Sequence, residues 1–152
     1  MQKRYRFRLQ AVLDYRTEQM NRMQQKLAIE EHKRMQIVQR IREYDELIQD
    51  SFRQQQELLG AQSLDLAEIQ QFPHYVLRLK QGRYQEQLAL QEQERHLRLL
   101  REEMKQAMIR KKSLDLLKDK GLKKHRTAME KAEEDALADL VLARHRPTEL
   151  SR

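Results

Sequence analysis

The stretch LDYRTEQMNRMQQKLAIEEHKRMQIVQRIREYDELI, residues 13–48, decides the fold. Apolar side chains recur along it every three or four residues, in two rows that continue past both of its ends. The rows are Leu13, Met20, Leu27, Arg34, Ile41, Ile48, Gln55 and Leu9, Arg16, Met23, Glu30, Ile37, Tyr44, Ser51, Leu58. Ten of these fifteen positions are apolar, which is typical of a coiled-coil seam. Because a single stripe of this kind is stable only against another helix, the segment predicts a helical partner.

The chain supplies a partner of its own. A second, less regular row consists of Val76, Leu79, Leu90, Leu97, Leu100, Met104, Ala107 and Leu114, and beyond Leu117 its phase drifts to Met129, Ala132, Ala136, Leu140 and Ala143. Gly60, Ser63, Asp65 and Pro73 lie between the two rows and predict one turn region. The sequence therefore predicts an all-α fold, namely a long antiparallel two-helix coiled-coil hairpin with unequal arms.

The predicted boundaries describe a single coiled-coil domain over residues 1–152. They are helix 1 at about 4–59, a tip at about 60–72, helix 2 at about 73–145 and a C-terminal tail at 146–152. The tip has room for a short helix, because Asp65 and Glu68 have capping-box spacing, and Pro73 suits the first turn of helix 2. Folding about residue 66 sets residue i opposite about 132 − i and leaves residues 130–146 beyond the first helix.

The composition argues against several classes of protein. The longest purely apolar run, residues 140–143, is far shorter than the roughly 20 residues of a membrane span. The apolar stretch after Arg8 is interrupted at Gln10 and Asp14, too early for a secretory signal. The chain has no Cys, its five His are scattered, and it has no glycine-rich phosphate loop. The sequence therefore predicts no catalytic residue, no cofactor and no metal site, and a protein that is not an enzyme.

Positive charge is concentrated in two segments that the hairpin sets side by side. Residues 1–26 hold seven basic and two acidic side chains, and residues 101–126 hold ten and four, for a net charge of +11. Such a surface can attract an acidic protein. It can also contact nucleic-acid phosphates with a steep salt dependence, or be no more than a solvated face of charged helices.

An apolar group near the predicted tip is a second candidate surface. It consists of Ile37, Ile41, Tyr44 and Ile48 from the first helix and Phe72, Tyr75, Val76 and Leu79 from the second. Most of these side chains are expected in the seam. A two-helix hairpin has no third layer to cover the others, so part of the group is expected to be exposed and to bind a protein.

Several stretches resemble the FliJ family of flagellar type III export proteins. They are the opening YRFRLQAVLDYRTEQMNRMQQKLA and the later run RKKSLDLLKDKGLKKHRTAMEKAEEDALADLVLARH. The matching positions are Phe7, Leu9, Gln10, Val12 and Leu13; Phe72, Tyr75, Val76 and Leu79; Arg110, Lys111, Leu114, Leu117 and Lys120; and, more loosely, Glu133, Leu137, Asp139 and Ala143. The resemblance covers nearly the whole chain.

The resemblance implies a fold similar to the γ-subunit stalk of rotary ATPases, without a cofactor. It implies that the open end enters the ring of the export ATPase through Arg4, Phe7, Arg8, Leu13, Lys131, Leu137 and Leu142. It implies contact with the cytoplasmic domain of the export gate through Ile37, Ile41, Tyr44, Ile48, Phe72, Tyr75 and Leu79. Ile48 stands where some relatives have an aromatic residue. The family is also described as escorting export chaperones, in the cytoplasm and peripherally at the inner membrane of the flagellar base.

Three alternatives remain open at the level of sequence. The first is the equivalent stalk protein of a virulence secretion system, which has the same periodicity. The second is a basic coiled-coil protein that binds nucleic acid. In such a protein a basic helix usually protrudes from a dimeric zipper. The third is a scaffold or prefoldin-like hairpin without an ATPase. Because the basic segments lie within the seam itself, nucleic acid is not among the expected partners. The short apolar runs predict that the chain does not insert into a membrane.

Overall fold

The structure is a computed structural model that describes residues 4–60 and 65–150, with side chains described as far as His145. Within those residues it contains no strand and two α-helices, α1 at Gln10–Leu59 and α2 at Leu66–Leu150. The helices are 50 and 85 residues long and pack against each other. The prediction of an all-α two-helix hairpin with arms of unequal length is therefore confirmed.

The start of α1 lies at Gln10 and not near residue 4 as the sequence predicted. A turn precedes it, in which the backbone N–H of Gln10 donates to the carbonyl of Phe7 at 3.1 Å. The three arginines of residues 4–8 explain the late start, because cations are unfavourable at the positive N-terminal end of a helix dipole. At the other end α1 stops at Leu59, as predicted.

The start of α2 also differs from the prediction. Asp65 caps the helix, because its Oδ1 accepts a hydrogen bond of 3.0 Å from the backbone N–H of Ala67. Residues 66–72 are therefore the first turns of α2 and not a separate short helix. Pro73 lies inside the helix, where its missing N–H removes only one intrahelical hydrogen bond. Residues 61–64 of the predicted tip lie outside the described part of the chain.

The far end of α2 extends beyond the predicted limit of residue 145. The helix reaches Leu150, so the first five residues of the predicted tail are helical. Residues 136–145 are mostly Ala, Leu and Arg, which are strong helix formers and carry the helix onward. The last two positions of the predicted tail, residues 151–152, lie outside the described residues.

The chain divides into two compact units. The tip unit comprises residues 21–105, and the terminal unit comprises residues 1–20 together with residues 106–152. Each unit contains a segment of α1 and a segment of α2.

The register of the tip unit corrects the predicted pairing. The contacts that define it are Tyr44 with Gly82, Asp45 with Arg83, Arg40 with Glu86, Arg34 with Glu94 and Glu30 with His96. The two residue numbers add to 126 or 128 in these pairs. The contacts of Gln93 with Glu30 and of Arg101 with Glu31 add to 123 and 132, so residue i lies opposite about 127 − i and the segments run antiparallel. The predicted 132 − i is wrong because α2 begins at Leu66, which shortens the turn and moves its centre towards the N-terminus.

The buried core follows the predicted seam. The buried apolar side chains of the described residues are Leu13 and Ala107 in the terminal unit and Ile37, Val76, Leu79, Leu97 and Leu100 in the tip unit. All seven occupy predicted seam positions. Ser51 is also buried at a seam position, where its hydroxyl donates to the carbonyl of Leu47 at 2.9 Å and so stays satisfied.

Candidate docking surfaces

An open groove lies in the tip unit, where the end of α1 meets the start of α2. Its volume is about 460 Å³, and its walls are Leu58, Glu68, Gln71, Phe72, His74, Tyr75 and Arg78. Phe72 is partly buried and Tyr75 is exposed, and their i, i+3 spacing places them on one side of α2. Aromatic walls flanked by a carboxylate and a cation suit an apolar side chain of a partner protein with polar neighbours.

Two of the seven residues predicted to contact the export gate line this groove, namely Phe72 and Tyr75. The other five are part of the packing between the helices. Ile37 and Leu79 are buried, and Ile41, Tyr44 and Ile48 are partly buried. The structure thus brings one aromatic pair to the surface and leaves the role of all seven in gate binding as a prediction.

Leu58 is a groove residue that the sequence reasoning did not assign to a binding surface. It is the last position of the seam row that begins at Leu9, at the end of α1 nearest the tip. A seam position at the end of a helix has fewer covering neighbours, so its place in the row was the signal that could have identified it.

A polar contact crosses between the helices at a seam position of the tip unit. The Nε2 of Gln93 donates to the carbonyl of Glu30 at 2.9 Å and to its Oε2 at 2.7 Å. Lys33 lies 3.2 Å from the other carboxylate oxygen. The pKa of Glu30 is therefore lowered, first by the hydrogen bond from Gln93 and then by Lys33. This arrangement explains how an acidic residue occupies a row of apolar side chains.

Ion pairs join the two helix segments of the tip unit along the edges of the seam. Asp45 and Arg83 lie 2.5 Å apart, Glu31 and Arg101 2.8 Å, and Arg40 and Glu86 3.1 Å. These exposed or half-exposed pairs contribute little stability individually. Asp45 with Arg83 and Arg40 with Glu86 favour the observed register, since a shift of the helices would separate both pairs.

In the terminal unit, the segment before α1 lies on α2 through Tyr5. Its ring is 5.6 Å from the ring of His125, with the planes tilted by 45°. The hydroxyl of Tyr5 fills the space that a side chain at position 121 would occupy, so Gly121 is required for this close approach. The tip unit repeats the arrangement with Tyr44 and Gly82.

The sequence reasoning missed both tyrosine–glycine contacts. A signal was present, because Tyr5 and Tyr44 are 39 residues apart and Gly82 and Gly121 are also 39 residues apart. In an antiparallel pair of helices, equal spacings of this kind place two matching side chains opposite two matching positions.

The seven residues predicted to contact the export ATPase all belong to the terminal unit. Near the start of the chain, Arg4 and Arg8 are exposed and Phe7 is partly buried, whereas Leu13 is part of the core. In α2, Lys131, Leu137 and Leu142 are exposed. Exposure is not confined to them, because every residue from 130 to 145 is exposed. A contact with the ATPase stays a prediction for each of the seven.

Two further properties of the described residues bear on function. Among the described side chains, those of residues 4–60 and 65–145, no group of three or more His, Asp or Glu could hold a metal ion. Over the same part of the chain, neither helix has a stretch of the length and apolarity that crossing a bilayer requires.

These features define a class of protein, a two-helix all-α protein with an open groove and an exposed helix segment. Residues 5–146 match the protein family described as "Flagellar FliJ protein". Because the match covers nearly the whole chain, the chain belongs to the FliJ family, and the predicted resemblance is confirmed. Membership associates the chain with flagellar protein export and favours the flagellar alternative over its virulence equivalent. No curated protein and no solved structure gives a significant match to the chain.

Proposed function

We propose that the chain is a non-catalytic stalk of the flagellar export apparatus. In this proposal the terminal unit binds the ring of the export ATPase, and the tip unit binds the cytoplasmic domain of the export gate. The protein then works at the flagellar base, on the cytoplasmic side of the inner membrane. Escort of export chaperones belongs to the same proposal.

The observation that carries the proposal is the exposed end of α2. Residues 130–145 are exposed throughout, although Ala132, Ala136 and Leu140 continue the phase of the seam. Leu137, Leu140 and Leu142 expose 61–62% of their surface. Exposed leucines that no other part of the described residues covers support insertion of this helix segment into another protein.

Basic charge elsewhere in the terminal unit supports the same partner, whereas residues 130–145 themselves hold five acidic and two basic side chains. Residues 106–126 hold eight basic and two acidic side chains, and Arg4, Arg6 and Arg8 belong to the same unit. A surface of this sign accelerates association with an acidic ring opening and makes the association rate fall with salt. The tip groove, with Phe72 and Tyr75 in its walls, supports a separate contact with the gate.

The first test asks whether binding to the ATPase can be lost while binding to the gate is kept. The double variant Leu137→Ser with Leu142→Ser should lose capture of the export ATPase and keep capture of the gate's cytoplasmic domain. Leu116→Ser is the matched control, because Leu116 is 61% exposed in the same unit but lies before residues 130–145. Equal loss in the control would show that the effect is not specific to the exposed end.

The second test concerns the groove. Tyr75→Ala should weaken capture of the gate domain and leave capture of the ATPase unchanged. Tyr15→Ala serves as the control, since Tyr15 is 56% exposed and lies in the other unit. Tyr44→Ala is less informative, because its ring packs against Gly82 and its removal alters the fold. A wild-type chain that captures neither partner would overturn the proposed function.

A further inference from the structure

A second row of apolar side chains runs along α2 on the side that faces away from α1. It consists of Leu77, Tyr84, Leu88 and Leu99, which expose 54%, 60%, 47% and 60% of their surface. At about 100° per residue, these four positions lie within about 60° of one another around the helix. Leu79 and Leu97, which are buried against α1, lie about 180° from that row. All six positions belong to the tip unit.

The spacing of the outer row is that of a coiled-coil seam. Gln81, Gln91 and Arg95 occupy the positions between the four apolar residues, so that the steps along the row are three or four residues long. The row is also narrow, whereas a helix that lies in a membrane surface needs a wide apolar face. A narrow row with this spacing accepts the side of one further helix.

The charges beside the row are unbalanced. Arg95 lies in the row, and Lys80 and Arg98 lie about 70° from its middle around the helix. Two acidic residues are close to it, Glu92 about 50° from its middle and Glu102 three residues after Leu99. None of the three cations has an ion pair or hydrogen bond within the described residues. The arginines at the inner seam behave differently, since Arg83 and Arg101 are each paired with a carboxylate of α1.

We propose that residues 77–99 of α2 form an outward-facing coiled-coil seam that binds an acidic amphipathic helix of a partner protein. The apolar row supplies the packing surface, and the unpaired cations select carboxylates at the flanks of the incoming helix. Arg95 lies in the outer row itself, so packing of a partner helix would bury its charge. A carboxylate on the partner is therefore needed most at this position. A second copy of the same row is a poor partner, because two positively charged rows repel each other.

This inference does not depend on the proposed function. The row contains none of the residues assigned to the ATPase or the gate, and it lies on a different side of α2 from the buried Leu79. Loss of either proposed partner would therefore leave it intact, and its failure would leave the stalk proposal unaffected.

The test uses the full chain and two designed helical peptides of about three heptads. Both peptides carry Leu at their seam positions, and one has Glu at the flanking positions where the other has Lys. Fluorescence anisotropy should show that the Glu peptide binds at least about tenfold more tightly than the Lys peptide at low salt. Leu88→Ser should weaken binding of the Glu peptide by about tenfold or more, and Leu116→Ser should not.

A charge exchange makes the test decisive. Arg95→Glu should reduce the preference for the Glu peptide and improve binding of the Lys peptide. Circular dichroism should show that each variant keeps its helices, because Leu88 and Arg95 are both exposed. Equal affinity for the two peptides, or no effect of Leu88→Ser, would overturn the proposal. The proposal would also be overturned if the chain bound neither peptide and instead dimerised, or bound phosphatidylserine vesicles, in a way that Leu88→Ser abolishes.

Discussion

The ring of Tyr44 lies directly against Gly82, and a β-carbon at position 82 would stand only 2.7–2.8 Å from the ring and its hydroxyl. Tyr44 is a seam position of α1, and Gly82 is an interior position of α2. Glycine is normally unfavourable inside a helix, by roughly 1 kcal/mol relative to alanine. Its presence here is explained by the space that the tyrosine needs and not by backbone conformation, since the φ of Gly82 is not positive.

Gly82→Ala should therefore destabilise the protein although alanine is the better helix former. Overpacking against Tyr44 is expected to exceed the gain in helix propensity, for a net loss of about 1–2 kcal/mol in the free energy of unfolding. Urea denaturation followed by circular dichroism measures it. Gly60→Ala is the control, because a β-carbon there meets only backbone atoms at 3.6 Å. An unchanged or higher stability of Gly82→Ala would contradict the packing of Tyr44.

Gly121→Ala is the same substitution opposite another tyrosine, but we expect a different effect on stability. A β-carbon at position 121 collides with the hydroxyl of Tyr5, which belongs to the non-helical segment before α1. That segment can move away, so we expect little loss of global stability and a gain in helix propensity. The displaced segment should be cut faster by trypsin after Arg4, Arg6 and Arg8. A large fall in the melting temperature, or unchanged cleavage, would show that Tyr5 is held in another way.

The contact between Gln93 and Glu30 predicts a specific pH dependence. Hydrogen bonds from Gln93 and then Lys33 lower the pKa of Glu30 below its ordinary value of 4.5. The unfolded state therefore binds more protons between the two pKa values, so this contribution is complete above 4.5 and is lost as the pH falls through the folded pKa. Gln93→Ala should lower the melting temperature more at pH 7 than at pH 3. Gln91→Ala, on the outer side of α2, should show no such difference.

The sequence predicted the helices well because their seam has a strong period. All seven buried apolar side chains, from Leu13 to Ala107, occupy positions of the predicted rows. The ends of the helices were predicted less accurately. Charge repulsion at residues 4–8 and the cap at Asp65 act locally, and a search for apolar periodicity does not detect either effect.

The candidate surfaces were predicted only in part, and for a related reason. Whether a seam residue is buried or lines a groove depends on the register, and the predicted register was wrong by about five positions. Phe72 and Tyr75 line the tip groove, whereas Ile37 and Leu79 do not reach the surface. The periodicity of the seam does not predict the outer row at Leu77 and Leu88, because these side chains lie on the opposite side of α2.

The register itself can be measured, because the chain has no cysteine of its own. Arg40 and Glu86 lie 3.1 Å apart across the two helices. Cysteines at positions 40 and 86 should therefore be joined efficiently by a short bismaleimide. The control pair at positions 40 and 93 occupies the same side of α2 but lies about 10 Å farther along it, at 1.5 Å per residue. If the control pair were joined more efficiently, the pairing of residue i with about 127 − i would be wrong. The pairing with about 132 − i and the longer turn that the sequence predicted would then be correct. Efficient joining of 40 with 86 at low protein concentration, with the product migrating as a monomer, would also establish that the two helices pair within one chain.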